Sequence, residues 1–467
     1  MQNYKFLRAP AGKQARKAGI FSRMKDIVFK EARIINRGKI IEGDLWVSRD
    51  RIEKIGPSIA LPQQALEIPV QGRYLIPGLI DDQVHFREPG LEHKATIFTE
   101  SRAAIAGGIT SFMEMPNTRP PATTQELLEA KYQIASKSAW ANYSFFMGAT
   151  NDNLEEVMKT DPHKVCGVKV FMGSSTGNML VDDPHTLDGL FASCPVLLAA
   201  HCEDETTIRN NMAEAQARYG TMIPPSAHPW IRNHEACWLS SSMAIRLAKK
   251  HNTRFHILHI STKEETLLFE SGPVESKRIT SEACVHHMYF SDQDYIALGN
   301  QIKCNPAIKT EEDRDAILSA VLDDRIDIIA TDHAPHTWEE KSEPYLSAPS
   351  GLPLVQHALQ LMLTHHVEGR ISLERIVEKM CHAPSLCFKL RDRGYLDEGA
   401  FADIVMFDLA KHQNVTKDNL IYKCGWSPLE GKTLPGVIEG TWVNGTRLFE
   451  SGQVIGEPAG KRLTFGL

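Results

Sequence analysis

The side chains able to do chemistry are spread thinly along this 467-residue chain, yet they share one kind of position, the end of a short apolar run. The segment 79–86 reads as a buried strand, with Val84 and Phe86 in an apolar stretch closed by Pro89-Gly90. Alternate side chains of a strand share a face, so Gln83, His85 and Arg87 project together. Later runs end at Glu114-Met-Pro-Asn117, at His201, at His259 and at Asp332-His333, and a run over 165–171 carries Lys169 between Val168 and Val170. A single histidine closing a strand is usually a satisfied core or capping residue. Three histidines and an aspartate closing four different strands are not explained that way. Imidazole and carboxylate are the donors that suit Zn²⁺ and its neighbours in hydrolytic centres.

Lys169 sharpens this reading. A cation among Val168, Val170 and Phe171 is costly to bury. It needs either a carboxylate partner or a depressed pKa that leaves a neutral amine. A neutral amine reacts with CO₂ to give an anionic carbamate, a bridging ligand, and the surrounding histidines favour that outcome over a plain ion pair.

The elements that must position these groups alternate. Strand-like runs at 79–86, 109–113, 143–147, 165–171, 196–200, 255–260, 278–282 and 326–330 are interleaved with helical patterns, among them 126–138, 235–251, 311–322 and 373–380. Eight such units point to an α/β fold of the (β/α)₈ barrel type, whose chemistry sits at the carboxyl ends of the strands. An open doubly wound sheet is the rival, and the chain has no glycine-rich phosphate loop after its first strand. Short β-rich runs occupy 24–77 and return in 395–467, where Asn444-Gly445 signals a hairpin. Neither piece is large enough alone, so both termini are expected to build one small β-sandwich domain beside a barrel spanning 78–394. Residues 1–23 carry six basic and no acidic side chains and are expected to be a disordered extension, with a targeting segment or surface helix as the alternative.

Composition excludes several functions. A formal charge of −6 gives no basis for nucleic-acid binding, and no apolar run reaches the roughly 18 residues of a membrane span. Nine scattered cysteines without a paired Cys-x-x-Cys suit the reduced thiols of a cytoplasmic protein.

Several motifs occur together and in order: Pro77-Gly-Leu-Ile-Asp81, Arg87-Glu-Pro-Gly90, Met115-Pro-Asn-Thr118, Asp332-His-Ala-Pro-His336, Ala348-Pro-Ser-Gly351 and Ser427-Pro-Leu-Glu-Gly431. On these the chain, from about residue 24 to near its end, resembles the amidohydrolase superfamily and within it the large class I dihydroorotases. The resemblance implies reversible hydrolysis of a cyclic amide, dihydroorotate to N-carbamoyl-L-aspartate, in pyrimidine (UMP) biosynthesis. It makes His85 and Asp332 ligands of a more buried zinc, His201 and His259 ligands of a more exposed one, and carboxylated Lys169 the bridge. Arg87, Asn117 and His336 would hold the substrate carboxylate, Asn305 the ring amides, and Asp332 would move the proton. A homodimer is the family expectation.

The departure is Gln83, which stands where the superfamily pattern His-x-His has its first histidine. A neutral amide oxygen is a weaker zinc donor than imidazole, so the exposed metal is expected to be the dependable one. Hydantoinases and allantoinases share the fold and ring chemistry, but their substrates lack the carboxylate that Arg87 and Asn117 would hold. An inactive subunit supporting another enzyme is the reading that Gln83 keeps open, and a plain binding barrel would leave the strand-end donors unexplained. His286 and His287 are expected to face opposite sides of a strand; Glu282 is expected either to pair with a cation or to act in catalysis. Cys202 reads as a buried thiol, and His93, Lys94, His185, His365, His366 and the segment 339–343 as solvated positions.

Overall fold

The structure is a computed structural model that describes residues 26–173 and 179–466; the basic extension at 1–23 lies outside the described residues. Eight parallel strands form the barrel: Leu79–Val84, Ile109–Glu114, Asn142–Phe145 continuing as Met147–Gly148, Val168–Phe171, Leu198–His201, Phe255–Ile257, Ile279–Cys284 and Ile328–Ala330. The third strand links a three-stranded and a six-stranded sheet through Phe146, whose N–H bonds the Glu114 carbonyl at 3.0 Å. The ring closes where Val84 bridges His333 in parallel and the His85 N–H bonds the His333 carbonyl at 2.7 Å. Both faces of these strands are covered, which is why they read as apolar runs rather than alternating ones.

The outer helices begin where the sequence offers caps. Thr96, Thr124, Asp183, Asp204, Asn233 and Thr310 each accept a backbone N–H of the first turn with their side chains. Helices Gln125–Ser138, His234–His251 and Glu311–Leu322 follow the expected spans to within a residue. The expected helix over 373–380 differs: Leu373–Val377 opens into a π turn at Glu378–His382 before Ala383–Phe388. Pro384 has no N–H to give four residues back, and its ring would crowd the preceding turn; the wider turn accommodates it.

Both termini contribute to one nine-stranded sheet, joined where Tyr74–Pro77 pairs antiparallel with the start of Ile404–Asn414. The sheet folds over an apolar core of its own, containing Phe29, Leu45, Leu75, Ile404 and Trp442. Phe29 and Trp442 sit on strands separated by two others, about 14 Å apart in a flat sheet, yet their rings are 4.8 Å apart.

A buried polar knot fastens this sheet to the barrel. Asp403 pairs with Arg393 and accepts from the Asn444 N–H at 2.8 Å and from Asn142 at 3.2 Å, while its own carbonyl takes the N–H of Gly78, just ahead of the first barrel strand. Removing one partner of such a pair leaves an uncompensated buried charge. Asp403→Ala is therefore expected to lower unfolding stability by about 3–5 kcal/mol, whereas Glu42→Ala, which breaks the exposed 3.9 Å pair with Arg33, should change it by less than about 1 kcal/mol; chemical denaturation of both variants checks the contrast.

Candidate active site

All nine residues singled out from the sequence, His85, Arg87, Asn117, Lys169, His201, His259, Asn305, Asp332 and His336, line one cavity of about 210 Å³ at the carboxyl ends of the barrel strands. The local backbone is bent to bring them there. Arg87, His259 and Asp332 have φ of 71°, 43° and 47°, a left-handed region that side chains other than glycine seldom enter. At Gly90, with φ of 87°, an added Cβ would lie 2.0 Å from the Arg119 carbonyl oxygen, so the turn after Arg87 requires glycine.

On one side of the cavity, His201 Nδ1 and His259 Nε2 approach to 3.0 Å with their rings nearly perpendicular. Burial lowers both imidazole pKa values, so the rings are neutral. His201 Nε2 is engaged by Glu203 Oε2 at 2.8 Å, and Arg232 binds that carboxylate through Nε and Nη2, the shortest contact being 2.7 Å. Burial by itself would raise the Glu203 carboxyl, but the charge of Arg232 and the bonds to His201 and Arg232 hold it well below the usual range. Glu203 thus fixes the N–H of His201 on Nε2 and leaves Nδ1 as a donor facing the cavity. Lys169 is buried beside them, its ammonium pulled down to about 7 by burial.

On the other side, His85 Nδ1 lies 2.8 Å from Asn117 Oδ1, so Nδ1 carries the hydrogen and Nε2 turns its lone pair to Asp332 Oδ1, 3.1 Å away. Two acceptors in contact call for a proton or a cation between them, and these residues therefore fit a metal. Gln83 supplies its amide Nε2 to Asp332 Oδ1 at 3.2 Å, while Cys284 Sγ is 3.8 Å from its Oε1. In this arrangement Gln83 is a hydrogen-bond donor to Asp332. Arg87 is buried, its Nε donates to the Pro335 carbonyl at 3.0 Å and its Nη2 lies 2.9 Å from His336 Nε2. Burial lowers its pKa to about 10.

Several expectations are corrected. His286 and His287 lie on the helical turn Val285–Tyr289 beyond the strand, both buried with ring centroids 4.1 Å apart, so strand alternation does not govern them. Glu282 contacts Asp82 and His256 and has no ion pair with lysine or arginine among the described residues. Lys94 is half-buried and bonds both His336 and Glu340, Lys341 within 339–343 is buried, and His365 is buried. Cys202, by contrast, is buried as expected, and burial pushes its thiol up to about 12. Glu203 and Arg232 were not singled out from the sequence. The two-residue spacing of His201 and Glu203 on extended chain was the available signal; nothing marked Arg232.

A family model, the amidohydrolase family, matches residues 74–448. The chain belongs to the amidohydrolase family. This amidohydrolase is 31% identical over 438 residues to the dihydroorotase of Listeria monocytogenes serovar 1/2a, covering 91% of this chain and 99% of that protein. It is 32% identical over 427 residues to the dihydroorotase of Methanothermobacter thermautotrophicus, covering 90% and 91%. Among solved structures it is similar to the L-hydantoinase (dihydropyrimidinase) of Arthrobacter aurescens, with a TM-score of 0.90, 26% identity and coverage of 94% and 100%. The dihydropyrimidinase of Brevibacillus agri, at a TM-score of 0.85 and 20% identity, shares the fold. As an amidohydrolase the protein is a hydrolase of carbon–nitrogen bonds, and no helix among its described residues is long and apolar enough to cross a membrane.

The Glu203 carboxyl, depressed from an ordinary value of 4.5, contributes stability that is present above that pH and lost as pH falls through the lower folded value. Glu203→Gln, which leaves Arg232 buried without a counter-charge, is expected to cost about 3–5 kcal/mol at pH 7, with the difference from wild type narrowing as pH drops below 4.5; thermal melts across pH check both.

Proposed function

We propose that the protein is a dihydroorotase, hydrolysing the cyclic amide of (S)-dihydroorotate reversibly to N-carbamoyl-L-aspartate in pyrimidine biosynthesis. The observation that carries this reading is Arg87. It is a buried guanidinium on the cavity wall, and among the described residues its partners are a carbonyl and a neutral histidine rather than a carboxylate. A planar two-point donor in a low-dielectric cavity is matched by a carboxylate brought by the substrate. The relatives named dihydroorotase, similar over nine-tenths of the chain, support the same choice. Hydantoin and allantoin carry no such group and would leave the Arg87 guanidinium without a direct carboxylate partner.

Zinc is the metal proposed, with His201 Nδ1, His259 Nε2 and carboxylated Lys169 at the more exposed position, and His85 Nε2 and Asp332 at the more buried one. When bound, zinc supplies polarisation of the scissile carbonyl and lowers the pKa of water toward about 7. The half-neutral Lys169 amine is poised to add CO₂, losing a proton to become the carbamate.

The chain's own residues do the rest. Arg87, Asn117 and His336 hold the carboxylate and Asn305 the ring amide, so the ring presents its carbonyl to the strand ends. Asp332 takes the proton released when the water oxygen bonds to the carbonyl carbon, and returns it to the ring nitrogen as the C–N bond breaks. Ring closure runs the same path backwards, with Asp332 protonated at the start. Gln83 steadies Asp332 through a neutral amide where a second imidazole would otherwise stand. Retention of five metal donors around one cavity argues against the inactive-subunit reading. A cytoplasmic homodimer completes the proposal.

Turnover with dihydroorotate, hydantoin and allantoin tests it. Dihydroorotate is expected to be preferred. Asp332→Asn should lower kcat about 10²–10⁴-fold, and Arg87→Lys should lower kcat/KM for dihydroorotate about 10- to 100-fold. Preference for hydantoin or allantoin would overturn the assignment.

A further inference from the structure

Inside the barrel, below the cavity floor, Asp82, His256 and Glu282 meet from the first, sixth and seventh strands, all three fully buried. One donor atom from each lies within 4.8 Å of the others. His256 Nδ1 is 2.8 Å from Thr280 Oγ1, and that hydroxyl points its own hydrogen toward the Phe255 carbonyl at 3.4 Å. The Thr280 hydroxyl also lies 3.4 Å from Cys387 Sγ; with its hydrogen given to Phe255 or Cys387, the imidazole hydrogen is on Nδ1 and Nε2 offers a lone pair. The lone pair faces Asp82 Oδ2 at 3.5 Å and Glu282 Oε2 at 3.4 Å, both beyond a good N–H···O bond.

Asp82 is the anomaly. Its neighbour Asp81 accepts from the Thr331 hydroxyl and from the backbone N–H groups of Thr331 and Gln83. Both carboxylate oxygens of Asp82 are buried with no donor group bonded to them, and the side chain they meet is the carboxyl of Glu282. Among the described residues, no lysine or arginine pairs with Asp82 or Glu282, and His256 is their ion-pair partner. Three acceptors converging in a low-dielectric core are unstable unless something positive sits among them.

We propose that Asp82, His256 and Glu282 form a closed structural zinc site in the barrel interior. The two edges to His256 suit an ion. A tetrahedral ion with bonds of about 2.0–2.2 Å keeps its donors about 3.3–3.6 Å apart, and the two measured edges are 3.5 and 3.4 Å. Charge favours it too, since one dication balances two carboxylates and leaves a neutral core. One imidazole and two carboxylates are a donor set that zinc takes readily, and Asp82 is able to chelate through both its oxygens. Thr280 supplies the outer hydrogen bond that orients the imidazole. Glu282 Oε1 accepts the backbone N–H of His259 at 3.1 Å, so the ion would also brace the bent strand end that presents His259 to the cavity. This site stands independently of the substrate assigned to the cavity.

Anomalous diffraction at the zinc edge, from crystals of the wild-type protein expressed with zinc, locates the ions directly. A peak is expected between His256 Nε2 and the Asp82 and Glu282 carboxylates, whatever the cavity holds. Elemental analysis of Asp82→Asn should return one zinc per chain fewer than wild type. No peak at that point, or an unchanged zinc content in folded Asp82→Asn, would overturn the proposal and assign the cluster to shared protons. If Asp82→Asn does not fold, the wild-type map alone decides.

Discussion

Burial of the side chains at the mouth of the barrel is the constraint from which the chemistry follows. Removing water lowers the pKa of His85, His201, His259 and His336, keeping these imidazoles neutral, and brings Lys169 down to about 7, so that a share of its amine carries a free lone pair. The same burial makes each unpaired charge expensive. Where the fold supplies a counter-charge, as Arg232 does for Glu203, the group is locked in place. At Arg87 the nearby carboxylates of Asp332, Glu114, Glu340 and Glu100 act through space, and the direct partners of the guanidinium are the Pro335 carbonyl and His336.

Holding these groups together costs backbone strain. Three cavity residues occupy the left-handed region, and their conformations persist because ring closure through His85 and His333, and the buried bond between Glu282 and the His259 amide, over-determine them. The knot of Asp403, Arg393, Asn142 and Asn444 works at the opposite end of the strands. It fastens the terminal sheet to the barrel, so the two ends of the chain are anchored to the scaffold that the cavity depends on.

Gln83 changes the hydrogen bonding around Asp332. It replaces a potential donor to metal with a donor to Asp332, restraining the carboxylate that lies against His85. The adjacent Asp82 has turned inward, where its carboxylate joins His256 and Glu282. The register irregularity between Asp81 and Val84 is what lets consecutive side chains serve the cavity and the layer beneath it.

Local periodicity pointed to the eight strands, three of the four named helix spans and the strand-end donors His85, Lys169, His201, His259 and Asp332, because a parallel barrel gathers strand ends and any polar residue closing an apolar run must emerge at the same mouth; the roles of Asn117, Asn305 and His336 were reached through the resemblance of their motifs. Helix starts in the structure coincide with caps written next to the turns they serve, a signal carried by the sequence itself. What tertiary structure alone decided involves residues far apart in sequence or backbone shapes with no local signature. The clamp of Arg232 on Glu203, the meeting of Asp82 with His256 and Glu282, the left-handed turns at His259 and Asp332, and the π turn before Pro384 all belong to that class. Sequence spacing records which face a side chain takes along its own strand; it does not record which side chain three strands away will meet it in the dark of the core.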